Sequence, residues 1–146
     1  MLIYLDACSL QRPLDDRTHP RINIEAEAVL TILRLVESRH LELLTSEALQ
    51  FEIDRTPNQY RKAQVIEMLK LATRTIEIND EIEKEAKVFV QAGVKPLDAL
   101  HLASASWAKA DFFCTCDDKL LKKPIHFRSK ATTMVSPLQL VTEVAR

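Results

Sequence analysis

The stretch Lys95–Asp118, KPLDALHLASASWAKADFFCTCDD, decides the fold. Pro96 suits the first position of a helix, where its missing N–H would have no intrahelical partner. Leu97, Leu100, Ser104, Trp107 and Ala108 recur at helical spacing. The small residues Ala99, Ala103, Ser104, Ala105 and Ser106 let such a helix lie close against a sheet. After a tight connection, Phe112-Phe113-Cys114-Thr115-Cys116 is apolar enough to be covered on both faces, as a central parallel strand must be. It ends on Asp117 and Asp118. In an open α/β sheet, chemistry gathers beyond the carboxyl ends of the strands, which is where Asp117 falls. Asp98 occupies a helix first turn, where the helix dipole favours a carboxylate.

The same pattern extends in both directions. Leu2-Ile3-Tyr4-Leu5 is a short apolar run stopped by Asp6, so two buried strands each end in aspartate. Residues 11–21, with two prolines and several charges, read as a polar loop. An amphipathic helix follows, with Ile22, Ala26, Val29, Leu33 and Val36 on one stripe. Leu41–Thr45 reads as a second strand. Ser46 caps a short helix carrying Glu47, Leu49, Phe51 and Glu52, and Pro57 stops it. A helix over residues 59–72 and a strand over residues 75–78 come next. Asp80 and Glu83 form a capping pair for a helix that Gly93 closes in the left-handed conformation. Thr132–Val135 is the last strand, and Ser136-Pro137-Leu138-Gln139 opens the last helix with a capping box. Strands alternate with helices, which predicts an α/β fold with a mostly parallel sheet. No repeat, linker or low-complexity tract interrupts it, so residues 1–146 read as a single domain.

Composition narrows the function. The chain has 146 residues, 47% hydrophobic and 28% charged, enough to bury a core. Its net charge of −1 gives no global affinity for nucleic acid, so binding there needs a local patch. Lys119, Lys122, Lys123, Arg128 and Lys130 supply one without an intervening acid after Lys119, a pattern that an ordinary solvated surface also produces. The single glycine, Gly93, removes the P-loop and the dinucleotide fingerprint, which need several. Phosphate would have to be handled by side chains or metal. The odd cysteine count, with Cys8, Cys114 and Cys116 in apolar stretches, suits a reduced, cytoplasmic protein. No apolar run reaches the ~18 residues that span a bilayer, and the N-terminus lacks the basic region of a signal peptide.

Asp6, Glu52, Asp98 and Asp117 each fall at or near an element end. Four carboxylates in one pocket repel, and a hard divalent cation with oxygen ligands resolves the conflict; Mg²⁺ or Mn²⁺ is the natural choice. Such a centre activates water against a phosphodiester. Spacing alone equally allows ordinary roles, with Asp98 a helix-start charge, Asp6 and Asp117 turn residues and Glu52 solvated. Cys114-x-Cys116 lacks the partners for a tetrahedral zinc site. His101 lies one turn beyond Asp98, which suits a structural histidine or a contact beside the acids. Trp107 and the phenylalanines read as core.

The segments LIYLDACSL (2–10), SEALQFEI (46–53), KPLDALHLASA (95–105) and CTCDDKLL (114–121) resemble the four successive signatures of the PIN-domain family, which includes the VapC-like toxin ribonucleases of toxin–antitoxin pairs. The resemblance spans nearly the whole chain. It implies a three-layer fold with a five-stranded, mostly parallel sheet in the order 3-2-1-4-5, flanked by helices. It also implies a Mg²⁺- or Mn²⁺-dependent ribonuclease that cuts single-stranded RNA, with an antitoxin partner and a homodimer. By the same resemblance Asp6, Glu52, Asp98 and Asp117 match the catalytic acids, with Asp6, Asp98 and Asp117 the metal ligands. Thr115 matches the hydroxyl partner of Asp117, the adjacent Asp118 and Glu47 stand as supporting or substitute acids, and the basic run supplies Lys119, Lys122 and Lys123 as RNA contacts. One departure is Ala7, where the family carries a small hydroxyl residue. That departure motivates an alternative, a PIN-like domain that binds or regulates RNA without cutting it. A phosphoacceptor receiver needs an acid pair after the first strand, and a haloacid-dehalogenase-type phosphatase needs D-x-D there. Asp6-Ala7-Cys8 supplies neither.

Overall fold

The computed structural model describes residues 1–145. Five short strands form its centre: β1 (Leu2–Leu5), β2 (Glu42–Ser46), β3 (Arg74–Ile76), β4 (Phe112–Cys114) and β5 (Thr133–Val135). They pair in the order β3-β2-β1-β4-β5, every neighbouring pair parallel. The expected sheet is therefore the observed one. Because β1 has β2 on one side and β4 on the other, the chain reverses its direction of strand addition at β1. The carboxyl ends of β1 and β4 thus flank the crevice where ligands of open α/β sheets bind.

Among the described residues eight α-helices surround the sheet. They are α1 (Ala7–Gln11), α2 (Pro20–Glu37), α3 (Glu47–Asp54), α4 (Gln59–Leu69), α5 (Asp80–Gln91), α6 (Pro96–Trp107), α7 (Asp118–Leu121) and α8 (Pro137–Val144). α5 packs along α6, and α2 packs along α8. Ile3, Tyr4, Leu5, Leu43, Leu44 and Phe113 are fully buried between these layers. Tyr4 stacks on Phe113 with ring centroids 5.4 Å apart.

The ends of the elements follow local chemistry. Ser136 and Gln139 form the expected capping box. Gly93 has φ +97°, and the N–H groups of Gly93 and Val94 return to the carbonyls of Val90 and Phe89, closing α5. A side chain at that φ would be strained, so glycine is required there.

Several expectations are corrected. Residues 11–21 are not all loop: α1 follows Asp6 directly, a 3-10 turn covers Arg12–Leu14, and Pro20 rather than Ile22 begins α2. The fourth strand stops at Cys114, and α4 stops at Leu69. The cap of α5 is Asn79, whose side chain accepts the Ile82 N–H, and not Asp80. Trp107 is 44% exposed and donates its indole N–H to Glu81, and Phe51 is exposed beneath the Arg55 guanidinium. Both aromatics lie off the core-facing side of their helices. On α2, Ile32 belongs to the core, while Leu30 and Leu35 remain half-buried.

Candidate functional site

A pocket of about 250 Å³ opens at the carboxyl edge of β1 and β4. It is lined by Asp6, Ala7, Cys8, Arg12, Glu52, Asp98, Cys116 and Asp117. All four acids singled out in the sequence thus reach one pocket, from four separate segments of the chain. Each is placed by a helix start or a short helix. Asp6 caps α1, its Oδ1 accepting the Ser9 N–H at 3.0 Å. Asp117 caps α7, its Oδ1 accepting the Lys119 N–H at 2.9 Å. Asp98 lies in the first turn of α6, and Glu52 on α3, which Ser46 caps through the Leu49 N–H.

The acids act on one another. Burial raises the Asp98 carboxyl above its ordinary range, and the fields of Asp6, Glu52 and Asp117 push it further, while His101 opposes them. Burial also raises Asp6, which is only 5% exposed. Hydrogen bonds from Thr115, from the Ser9 N–H and from Cys8 partly offset that burial. Thr115, fully buried, also accepts the Asp117 N–H at 3.1 Å, so one hydroxyl ties the two strand-end acids together.

Cys8 answers the departure at Ala7. Its thiol donates toward both oxygens of Asp6, at 3.1 and 3.3 Å, in a place where a hydroxyl side chain could do the same. Ser9 serves Asp6 chiefly through its N–H; its hydroxyl donates to the Cys114 carbonyl at 3.2 Å and adds the smallest of the hydrogen-bond effects on Asp6. Cys116 interacts with Cys8 and with the Arg12 guanidinium, and these contacts hold its thiol below the ordinary value against the effect of burial.

Glu52 is held from behind by a buried chain. His101 Nε2 lies 2.7 Å from Glu52 Oε1, and His101 Nδ1 lies 2.7 Å from the Tyr4 hydroxyl. That hydroxyl is 2.6 Å from Ser46 Oγ, which already accepts the Leu49 N–H. With His101 neutral the donors run one way: Ser46 to Tyr4, Tyr4 to Nδ1, and Nε2–H to Glu52. His101 is 1% exposed, so it is structural and also touches a pocket acid.

The remaining sequence candidates lie at the rim. Asp118 is exposed and paired with Arg21 at 2.6 Å, away from the pocket lining. Lys119 and Lys122 are exposed, and Lys123 is half-buried against the Gly93 turn. Arg12, Cys8 and Cys116 line the pocket without being marked out by the sequence as site residues. The only signal for Arg12 was its position just past Asp6, hidden by reading that segment as loop.

Among the described residues no three His, Cys, Asp or Glu side chains stand close enough together to form a ready-made coordination shell. The donor set nevertheless fits a hard divalent cation: four carboxylates line the pocket, and burial plus mutual repulsion raise Asp98. A cation would relieve that repulsion.

A parallel α/β sheet with acids from separate segments at its switch point defines a class of single-site acidic α/β domains. The family model for the PIN domain matches residues 3–125, and the chain belongs to the PIN-domain family. No curated protein matches it. Among solved structures it is similar to FitAcB from Neisseria gonorrhoeae, with TM-score 0.59 and 18% identity over 93% of this chain and 98% of that one. It is also similar to VapBC2 from Rickettsia felis bound to a DNA fragment from their promoter, with TM-score 0.60, 13% identity and the same coverage. PAE2754 from Pyrobaculum aerophilum matches 99% of this chain and 98% of its own, with TM-score 0.56 and 17% identity. At these identities the likeness is one of fold.

Proposed function

We propose that this PIN domain is a Mg²⁺- or Mn²⁺-dependent endoribonuclease that cleaves single-stranded RNA, acting as the toxin of a toxin–antitoxin pair in the cytoplasm. The observation that carries the proposal is the convergence of Asp6, Glu52, Asp98 and Asp117 on one pocket at the switch point of the sheet. Asp6, Asp98 and Asp117 would hold the cation, which when bound polarises a phosphodiester and supplies activated water. Glu52 has Oε1 engaged by His101, which fixes the carboxylate and directs Oε2 to orient the attacking water or take its proton. Hydrogen bonds from Thr115 and Cys8 offset part of the upward pull of burial on Asp6, and a bound cation would favour its charged form. Asp118 positions Arg21 at the rim, and Lys119, Lys122 and Lys123 carry the RNA backbone past it.

Ala7 motivates the catalytically silent alternative, and the contact between Cys8 and Asp6 supports the cutting reading against it. An antitoxin protein is the expected partner. The half-buried Leu30 and Leu35 with the exposed Ile24 on α2 supply apolar surface for a homodimer. No helix of the described residues is long and apolar enough to cross a membrane. A reduced cytoplasm suits its three free cysteines.

The test is incubation of purified protein with single-stranded RNA and Mn²⁺, beside EDTA and Asp98→Asn controls. Cleavage should vanish in both controls. Cleavage that persists equally in them belongs to a contaminant, and tight RNA binding with no cleavage of any RNA would reassign the domain to binding alone.

A further inference from the structure

We propose that Arg12 grips the RNA phosphodiester at the acidic pocket, deepening the nuclease reading on which it rests. Arg12 is the only cationic residue among those that line the pocket. A pocket with four carboxylates repels a polyanion, and one bound divalent cation offsets only part of that charge. A second, fixed positive charge at the same mouth is therefore chemically needed.

The guanidinium is built in rather than trailing. Its Nη1 donates to Asp15 Oδ2 at 2.9 Å, and its Nε lies 3.3 Å from Glu25 Oε1. Glu25 is buried, with its carboxylate 5% exposed. Asp15 is in turn held by Arg61 at 2.8 Å, and Arg61 donates to the Leu14 carbonyl and the Gln11 side chain. The fork is thus oriented before any ligand arrives, which a planar, bidentate phosphate grip requires.

Two details argue against a purely structural salt bridge. The contact with Glu25 is poorly aligned, leaving the buried Nε without a hydrogen-bond partner. Glu25 also has a second cation, with Arg21 Nε 3.8 Å from Oε2. Among the described residues no ion pair joins Arg12 to any of the four pocket acids, so its charge is not spent neutralising them. It does reach the Cys116 thiol in the pocket lining.

The experiment compares wild type, Arg12→Gln, Arg12→Lys and the double variant Arg12→Gln/Glu25→Gln, in which the buried carboxylate loses its charge together with its partner. Two readouts are taken. One is Mn²⁺-dependent cleavage; the other is single-stranded RNA binding in EDTA across a salt series. Arg12→Gln should lose cleavage at least ~100-fold and bind RNA about tenfold more weakly, with the salt slope reduced by ~0.7 for one lost phosphate contact. Arg12→Lys should keep the salt slope yet lose most cleavage. The double variant should regain thermal stability but not cleavage. Recovery of cleavage in the double variant, or cleavage by Arg12→Gln within about threefold of wild type, overturns the proposal. If wild type cleaves no RNA, the nuclease reading fails and the binding arm decides: an unchanged affinity and slope in Arg12→Gln overturns the phosphate role, and a reduced slope upholds it.

Discussion

Replacing Tyr4 with phenylalanine removes one oxygen atom from the centre of the molecule and breaks two buried hydrogen bonds, one at Ser46 and one at His101. Tyr4 is fully buried, with its hydroxyl between Ser46 Oγ at 2.6 Å and His101 Nδ1 at 2.7 Å. Without it, the Ser46 hydroxyl proton and the Nδ1 lone pair both lose their acceptor or donor. Each unsatisfied buried group costs about 1–3 kcal/mol, partly offset because the hydroxyl itself no longer needs to be desolvated. A net loss of ~2–4 kcal/mol follows, a large share of the ~5–15 kcal/mol that holds a typical domain together. For a chain of this size that is a fall in Tm of roughly 5–15 °C. Phe113 still stacks on the ring, so the hydrophobic core is unchanged. Urea denaturation of wild type, Tyr4→Phe, His101→Phe and the double variant measures the coupling. If donors run from Ser46 through Tyr4 to His101, the two substitutions share one interaction and their costs overlap by at least ~0.5 kcal/mol. Costs that add within ~0.3 kcal/mol, or a Tyr4→Phe loss below ~0.5 kcal/mol, would refute the relay from Ser46 to Glu52.

Three further outcomes are expected. Burial raises the carboxyls of Asp6 and Asp98, so the fold favours their protonated forms. Stability of the metal-free protein should therefore decline as pH rises from the ordinary carboxylate range through their raised values. Asp6→Asn keeps the cap of α1, should flatten that decline, and should melt above wild type in EDTA at neutral pH; thermal scans across pH with parallel slopes for the two proteins would contradict this. Cys8→Ala removes a donor to both Asp6 oxygens, so Asp6 rises further and apparent Mn²⁺ affinity, read by thermal shift, should drop about tenfold, roughly 1.4 kcal/mol. Serine at the same position should restore it, and an unchanged titration in Cys8→Ala would show that the thiol contributes nothing. Lys122→Ala/Lys123→Ala should weaken RNA binding and flatten its salt dependence by ~0.7 per lost phosphate contact while leaving the Mn²⁺ titration unmoved.

Much of this arrangement is legible along the chain because parallel strands buried on both faces leave short apolar runs, and a polar residue just past each run caps the next helix. Leu2–Leu5 and Phe112–Cys114 are found that way, and Asp6 and Asp117 with them. The features that escape reading each do so for a physical reason. α1 is only five residues long, too short to show a helical period, and it starts from a side-chain cap on Asp6. Missing that turn hides both Cys8 and Arg12, since only its curl brings them over the strand ends. Asn79 and Asp80 are both good caps, and sequence cannot tell which one takes the extended backbone. His101 reads as a structural histidine or a contact beside the acids, but its partner Glu52 stays hidden because it is brought there from another helix. Trp107 fits the apolar stripe, yet it lies at the last position of α6, where the helix leaves the core.

The placement of β1 at the middle of the sheet has a consequence for the ribosome that makes the protein. β1 is synthesised before the other four strands, but its β4 side stays unpaired until residues near Asp111 emerge, 109 positions after Leu2. At ~5–20 residues per second that interval is roughly 5–20 s. During it the strand edge is open and Asp98 and Asp117 have yet to join Asp6. A nascent chain therefore carries an incomplete pocket until residues 98 and 117 have joined Asp6. Any chemistry that needs all four acids is withheld until Asp117 has been made and β4 has paired with β1.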